Sequence, residues 1–286
     1  MRAHTVTGGG GIRLHVEEAG NPDGQPVLFI HGFSQCRLAW SKQFDSDLTD
    51  TLRLVAMDIR GHGLSDKPRD AYGDSTLWAD DIQAVIEALD LDRPILSGWS
   101  YGGLIIGDYL RVYGEDRIGG VHLVGAATKL GSEAALTVIG ADFLALVPGF
   151  FSTDAEESVH ALEALVRLCV PGDLDARDLY FLLGYNVVVP PYVREGLLSR
   201  AVDNDDVLGQ LRVPVLITHG AEDRVVLPAA AEHQAAVIPH AQLSFHPGVG
   251  HAVFWLDAAR FNGALREFAG QVRAGWHPGG RATAQA

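Results

Sequence analysis

Short apolar runs recur along the chain and predict strands that are buried on both faces. They cover residues 26–30, 52–57, 94–96, 121–124 and 213–218. Runs of this length without polar alternation are typical of parallel strands inside an α/β sheet. An earlier segment, residues 12–18, alternates apolar and polar positions and predicts a half-buried strand, with the glycine run at residues 8–11 as the turn before it.

Amphipathic helical patterns lie between most of these runs. Residues 76–89, 104–113 and 229–238 place apolar side chains at helical spacing. Alternation of strands and helices predicts an α/β fold with a mostly parallel sheet, and it places functional loops at the carboxyl ends of the strands.

The alternation stops between residues 124 and 213, where no strand pattern is convincing. Four helices are predicted there instead, over residues 133–146, 154–170, 175–185 and 192–201. Thr153 and Glu156 have the spacing of a capping box for the second helix. The block therefore looks like a helical insertion in the α/β core. The small and polar residues 279–286 predict a frayed tail.

Composition narrows the classes of partner. The 286 residues include 22 Lys and Arg against 36 Asp and Glu, a formal net charge of −14, which disfavours nucleic acid and anionic membranes as main partners. The most apolar stretch, residues 134–151, contains Asp142 and Pro148 and is a poor membrane span, and no signal peptide is evident. With only Cys36 and Cys169 available, we expect two reduced thiols in a soluble, cytoplasmic protein.

A G-x-S-x-G motif, Gly98-Trp-Ser-Tyr-Gly102, follows the apolar run at residues 94–96 and precedes a predicted helix. This context predicts a sharp strand-to-helix turn that lifts the Ser100 hydroxyl above the sheet. Small flanking residues are needed there because the two backbones approach closely. Ser100 is therefore the candidate nucleophile.

A serine hydroxyl needs a base to take its proton. His251 is the strongest candidate because it lies in a glycine-rich loop before a late helix, where a side chain can point into a cleft. His219 ends a strand run and is more easily explained as a structural histidine, while His62 in a polar loop is a weaker alternative.

The base needs a carboxylate that fixes its tautomer. Asp223 follows the run at residues 213–218 and is preferred over its neighbour Glu222. Ser100, Asp223 and His251 follow one another along the chain in the order expected for a fold whose nucleophile lies on such a strand-to-helix turn.

An attacked carbonyl also needs donors for its developing oxyanion. We expect the backbone N–H groups of Tyr101, directly after the nucleophile, and of Phe33, in the loop that follows the strand at residues 26–30. The aromatic side chains of Trp99, Phe143 and Phe254 are candidates for lining an apolar substrate pocket.

Together these motifs resemble the α/β-hydrolase fold superfamily, and within it the serine esterases, the cofactor-free haloperoxidase-like perhydrolases and the carbon–carbon bond hydrolases. The resemblance rests on His31-Gly-Phe33, Asp58-Ile-Arg-Gly-His-Gly-Leu-Ser-Asp66, Gly98-Trp-Ser-Tyr-Gly-Gly103, His219-Gly-Ala-Glu-Asp223 and Gly250-His251. It implies an eight-stranded, mostly parallel sheet with a helical cap between the sixth and seventh strands. The core would then be residues 1–126 and 205–286, and the cap residues 127–204. Ser100 departs from family members that use an aspartate nucleophile.

The sequence thus favours a serine hydrolase that cleaves a small, apolar carboxylic ester through an acyl-enzyme. Carbon–carbon bond hydrolysis and perhydrolysis could use the same triad, and a hydrolase-like ligand receptor is the alternative from another class. Neither a histidine spacing for zinc nor a dinucleotide fingerprint after a strand is present, so we expect no metal and no other cofactor. The substrate's identity and the oligomeric state stay open.

Overall fold

The structure is a computed structural model that describes residues 1–275. Its strands are β1 Arg2–Thr7, β2 Arg13–Gly20, β3 Gln25–Ile30, β4 Leu52–Met57, β5 Ile95–Trp99, β6 Gly120–Val124, β7 Lys129–Leu130, β8 Val202–Asp203, β9 Val215–Gly220 and β10 Gln242–His246. The helices are α1 Ser41–Phe44, α2 Ser75–Ala88, α3 Gly102–Tyr113, α4 Glu133–Leu136, α5 Ala141–Phe151, α6 Ala155–Cys169, α7 Ala176–Val187, α8 Pro191–Leu198, α9 Asp205–Leu208, α10 Ala229–Val237, α11 Val253–Leu256 and α12 Ala258–Arg273.

An eight-stranded sheet organises the described residues, in the order β1-β2-β4-β3-β5-β6-β9-β10. The pairs β1–β2 and β2–β4 are antiparallel, and every later pair is parallel. The inner strands are apolar along their whole length because helices cover both faces; all six residues of β3 and all six of β9 are buried. The predicted α/β fold with a mostly parallel sheet of eight strands is confirmed.

Parallel strands direct their carboxyl ends to the same edge of the sheet. The loops after β3, β5, β9 and β10 therefore meet there, and they carry Phe33, Ser100, Asp223 and His251 respectively. This common edge is what brings residues far apart in the sequence into one site.

Helices α4 to α8 follow β6 and precede β9, so they form an insertion between the sixth and seventh strands of the large sheet. Within it α5 packs against α6 and α8, and α6 packs against α7. The short strands β7 and β8 pair at its base, through Lys129 with Asp203 and Leu130 with Val202. These two strands were not expected between residues 124 and 213.

Two details of the insertion correct the sequence analysis. The helix predicted over residues 133–146 is two helices, α4 and α5, because Ile139 forms a β-bridge with Val226 and the Gly140 N–H bonds the Val225 carbonyl at 2.9 Å. The N-cap residue of α6 is Asp154 and not the predicted Thr153. The Asp154 carboxylate accepts from the Glu157 N–H at 3.0 Å.

The outer strands β1 and β10 were also absent from the sequence analysis. Both lie at edges of the sheet, where half-exposed side chains weaken the apolar pattern. Cys36 and Cys169 are free and buried. Among the described residues, no helix combines the length and apolar character needed to cross a membrane; the cytoplasmic location stays a prediction. The predicted tail at residues 279–286 lies outside the described residues.

Candidate active site

Ser100 occupies the turn between β5 and α3 with a φ of +54°. A left-handed backbone is unfavourable for a residue with a side chain, and such strain concentrates at functional turns. Close approaches hold the turn in place. A Cβ added at Gly98 would lie 2.7 Å from the Gly102 carbonyl carbon, and one at Gly102 would lie 2.5 Å from the Ile30 oxygen. The glycines of the G-x-S-x-G motif are therefore required by packing.

Asp223 and His251 form a buried pair on the loops after β9 and β10. The His251 Nδ1 atom lies 2.7 Å from the Asp223 Oδ2 atom. The other carboxylate oxygen, Oδ1, accepts from the N–H groups of Val225 at 2.8 Å and Val226 at 3.1 Å. The carboxylate is thereby held in one orientation toward the imidazole.

A second histidine contacts the same carboxylate. His219 Nε2 lies 3.2 Å from Asp223 Oδ2 and 2.9 Å from the Val226 carbonyl oxygen. Burial by itself would raise the pKa of Asp223, but the charge interaction with His251 and the hydrogen bonds from both histidines outweigh burial and lower that pKa to about 2. Asp223 is consequently ionised at neutral pH.

The Asp223 carboxylate determines which nitrogen of His251 is free. An ionised carboxylate only accepts hydrogen bonds, so it fixes the proton on Nδ1 and leaves Nε2 as an acceptor. Ser100 and His251 both line a small cavity of about 10 Å³, which is roughly the space for one water molecule. Within residues 1–275 no direct hydrogen bond joins the two side chains, although both border this cavity.

Two backbone donors flank Ser100. In the described part of the chain, the N–H groups of Phe33 and Tyr101 have no hydrogen-bond acceptor. The Phe33 loop passes directly over the serine, since a Cβ added at Gly32 would lie 2.9 Å from the Ser100 Cβ. Unpaired N–H groups beside a nucleophile are the arrangement that stabilises an oxyanion.

His31 fixes the course of that loop. Its Nε2 accepts from the Ile59 N–H at 3.1 Å, and its Nδ1 donates to the Gly32 carbonyl at 2.9 Å. Burial lowers the pKa of His31 to about 4, so the ring is neutral at pH 7, as this pair of bonds requires. From the sequence, His31 was predicted only as part of the motif His31-Gly-Phe33.

The competing candidates have different surroundings. His62 donates from Nδ1 to the Arg60 carbonyl oxygen at 2.9 Å, and its ring packs against that of His31 at 5.1 Å. Glu222 is exposed, whereas Asp223 beside it is buried. His219 contacts the Asp223 carboxylate and packs against Phe245 with a ring-centre separation of 6.2 Å.

An apolar cavity of about 200 Å³ opens beside Ser100 and the two proposed oxyanion donors. The described residues that line it carry no charged side chain. The insertion supplies much of its wall through Leu130, Ile139, Phe143, Leu144, Val147 and Leu198. Val225 and Val226 supply part of the core side. Neither valine was predicted as a pocket residue, although the pair begins two positions after Asp223, and an apolar pair so near a candidate site residue is a usable signal.

The three predicted pocket aromatics have different positions. Phe143 lines both the large cavity and the small cavity that Ser100 and His251 also line, and its ring meets the ring of Phe33 edge-on at 5.9 Å. Trp99 lines the small gap and lies 5.3 Å from the His251 ring. Phe254 packs behind Trp99 at 4.8 Å and lines a separate cavity of about 10 Å³.

In residues 1–275, no group of three or more His, Cys, Asp or Glu side chains could hold a metal ion.

Comparisons with known proteins identify the superfamily. A family model described as the alpha/beta hydrolase fold matches residues 25–166. The crystal structure of an esterase from a Rhodococcus species is 37% identical, covers 95% of this chain and 100% of its own, and superposes with a TM-score of 0.90. The chain therefore belongs to the α/β-hydrolase superfamily, in its esterase and perhydrolase-like group.

Two further relatives are similar over nearly their whole length. A bifunctional esterase/perhydrolase of Acinetobacter calcoaceticus is 26% identical over an alignment of 284 positions that covers 92% of this chain and 98% of that protein. A non-heme chloroperoxidase of Streptomyces lividans is 29% identical over an alignment of 268 positions that covers 87% of this chain and 93% of that protein. The predicted superfamily is confirmed.

Proposed function

We propose that this chain is a serine hydrolase that cleaves carboxylic esters through an acyl-enzyme. The observation that carries the proposal is the buried Asp223–His251 pair, joined at 2.7 Å, whose imidazole lines one small cavity with Ser100. The esterase and perhydrolase relatives support the same reaction class.

In the proposed reaction the Ser100 Oγ attacks the ester carbonyl while His251 Nε2 takes its proton. The carbonyl oxygen becomes an oxyanion and accepts from the N–H groups of Phe33 and Tyr101. The tetrahedral intermediate then collapses, and His251 returns the proton to the leaving alkoxide. Water, deprotonated by His251, attacks the acyl-enzyme, and the acid leaves as the Ser100 hydroxyl is restored.

The 200 Å³ cavity indicates the substrate class. Because its lining is apolar, it favours an uncharged ester with an aliphatic or aryl acyl group. The leaving alcohol must lie near His251, where the spaces are much smaller. We infer that residues 127–204 form the cap, since the insertion supplies so much of the acyl side of the cavity.

The free energy of burying the acyl chain sets the size of this substrate preference. Each methylene moved from water into an apolar site contributes about 0.8 kcal/mol, which corresponds to about fourfold in kcat/KM. Hydrolysis of p-nitrophenyl esters should rise by about this factor per carbon until the cavity is filled.

Perhydrolysis is a second candidate, favoured by the similarity to the bifunctional esterase/perhydrolase. Hydrogen peroxide would replace water in the second step: its oxygen attacks the acyl-enzyme, His251 takes its proton, and a peracid leaves. The gap beside His251, about the size of one water molecule, suits either small nucleophile. Assays with and without peroxide on one ester measure the partition between acid and peracid.

The decisive variant is Ser100→Ala. We expect kcat for p-nitrophenyl butyrate to fall at least 10³-fold, because the step that forms the acyl-enzyme is lost. Ser97→Ala is the matched control: it removes another buried hydroxyl, bonded to His122 on the sheet at 3.1 Å. Ser100→Ala activity within tenfold of wild type, with the thermal transition unchanged, would refute the proposal.

A further inference from the structure

The side chain of Tyr101 leaves the catalytic turn and enters the cap. Its hydroxyl donates to the Leu197 carbonyl at 3.1 Å and accepts from Arg200 Nη1 at 3.2 Å. The tyrosine is buried, 3% exposed. The residue whose N–H group is a proposed oxyanion donor is therefore tied by its other end to the last turn of α8.

Arg200 is itself anchored to the helix that Tyr101 begins. Its Nη2 lies 2.7 Å from each carboxylate oxygen of Asp108 and 3.0 Å from the Ser75 hydroxyl. Asp108 follows Tyr101 by two helical turns and so lies on the same face of α3. Both members of the Arg200–Asp108 pair have side chains only 1% exposed.

The planar guanidinium group of Arg200 can bind Asp108 and Tyr101 at the same time. Arginine presents several N–H donors in a rigid plane, so one arm can bind Asp108 while another binds Tyr101. Removing the partner of a buried charge is unfavourable, which keeps Arg200 at Asp108 whether or not substrate is present. Leu198, next to Leu197, lines the 200 Å³ cavity, so the same helix end contacts both substrate space and Tyr101.

We propose that Arg200 and the Tyr101 hydroxyl are positioning groups that couple the cap to the oxyanion hole. An acyl group packed against Leu198 steadies the end of α8, and the bonds to Leu197 and Arg200 transmit that position to the Tyr101 backbone. The Tyr101 N–H group is then fixed where the oxyanion develops. This inference rests on the proposed ester hydrolysis.

The first test is Tyr101→Phe, which removes the hydroxyl and leaves the Arg200–Asp108 pair and the backbone N–H group in place. We expect kcat for p-nitrophenyl butyrate to fall three- to tenfold with KM changed by less than twofold, because oxyanion contacts form only in the transition state. Tyr109→Phe is the matched control, since it removes a buried hydroxyl on the same helix, bonded to Gln83 at 3.3 Å. Equal kcat values for the two variants, or a change in KM alone, would overturn the inference.

The second test is a double-mutant cycle. Arg200→Lys keeps a charge beside Asp108 and removes the Nη1 bond to the Tyr101 hydroxyl, but it leaves the bond from that hydroxyl to the Leu197 carbonyl. It should therefore lower kcat by no more than Tyr101→Phe, which removes both bonds. If both variants act through one link, the double variant should be no slower than Tyr101→Phe alone. Multiplying effects would contradict the coupling. Arg60→Lys, which alters the equally buried Arg60–Asp81 pair, is the control for destabilisation.

Failure of the coupling is distinguishable from failure of the proposed function. If wild type hydrolyses the ester and Ser100→Ala does not, the nucleophile stands whatever the Tyr101 and Arg200 variants show. If Arg200→Lys fails to fold, Tyr101→Phe against Tyr109→Phe still decides between a positioning role and a purely structural one.

Discussion

Replacing Asp223 by asparagine tests how the carboxylate controls the base. Asp223 Oδ1 accepts from two backbone N–H groups, so an amide must place its oxygen there. Its NH₂ group then faces His251 Nδ1, where Oδ2 stood at 2.7 Å. His251 must accept from that group, which moves the imidazole proton to Nε2.

A protonated Nε2 cannot take the proton of Ser100. In other enzymes with a Ser-His-Asp triad, this replacement lowers kcat about 10⁴-fold, which corresponds to about 5 kcal/mol of transition-state stabilisation. We expect a loss of that order for Asp223→Asn. Because the backbone donors keep their acceptor, the fold should persist.

The assay is steady-state hydrolysis of p-nitrophenyl butyrate at pH 7, with circular dichroism as the measure of folding. Glu222→Gln is the matched control, because it neutralises the exposed neighbouring carboxylate and should leave kcat within twofold of wild type. A folded Asp223→Asn variant that loses less than tenfold in kcat would refute the tautomer argument.

Three further predictions follow from packing, charge and cavity shape. Gly102→Ala should lower the free energy of unfolding by about 1–3 kcal/mol, because the added Cβ would lie 2.5 Å from the Ile30 oxygen. Gly263→Ala in α12 is the control and should not lower it, because the space around Gly263 is open. Urea unfolding measures both variants. Ionised Asp223 should contribute about 2 kcal/mol of wild-type stability that is lost as pH falls from about 4 to 2, because unfolded Asp223, with its ordinary pKa of 3.8, binds a proton before folded Asp223 with a pKa of about 2. Urea unfolding at each pH should show that Asp223→Asn lacks this part of the decline. Leu144→Trp should reduce kcat/KM at least fourfold more for the hexanoyl than for the acetyl p-nitrophenyl ester, by filling the cavity; equal reductions would place the acyl group elsewhere.

The sheet could be predicted from sequence because its inner strands are buried on both faces. Continuous apolar runs predicted β3, β4, β5, β6 and β9, because both faces of each of these strands pack against helices. The edge strands β1 and β10 carry no comparable run, because solvent replaces half of those contacts.

The insertion was less predictable because long-range backbone contacts override local pattern. Residues 134–151 are almost uniformly apolar, yet the bridge between Ile139 and Val226 interrupts the helix there. A Cβ at Gly140 would lie 1.8 Å from the Arg224 carbonyl oxygen, so this glycine allows the loop after Asp223 to approach. The local sequence around Gly140 does not indicate that residues 224–226 pack against it.

Part of the site could be predicted from the sequence and part could not. Ser100, Asp223 and His251 stand in short motifs whose residue types are chemically specific, so they could be proposed from spacing and order. The link between Tyr101 and Arg200 could not be predicted, because it joins residues about a hundred positions apart and depends on how the end of the insertion packs against α3.

The most direct test of the mechanism is the rate at which a fluorophosphonate labels the protein, with the adduct mapped by mass spectrometry. The proposed mechanism predicts one adduct, on Ser100, and labelling at least a hundredfold slower in a folded His251→Ala variant, because the serine then lacks its base. An adduct on another residue, or equal labelling rates in the two proteins, would contradict it.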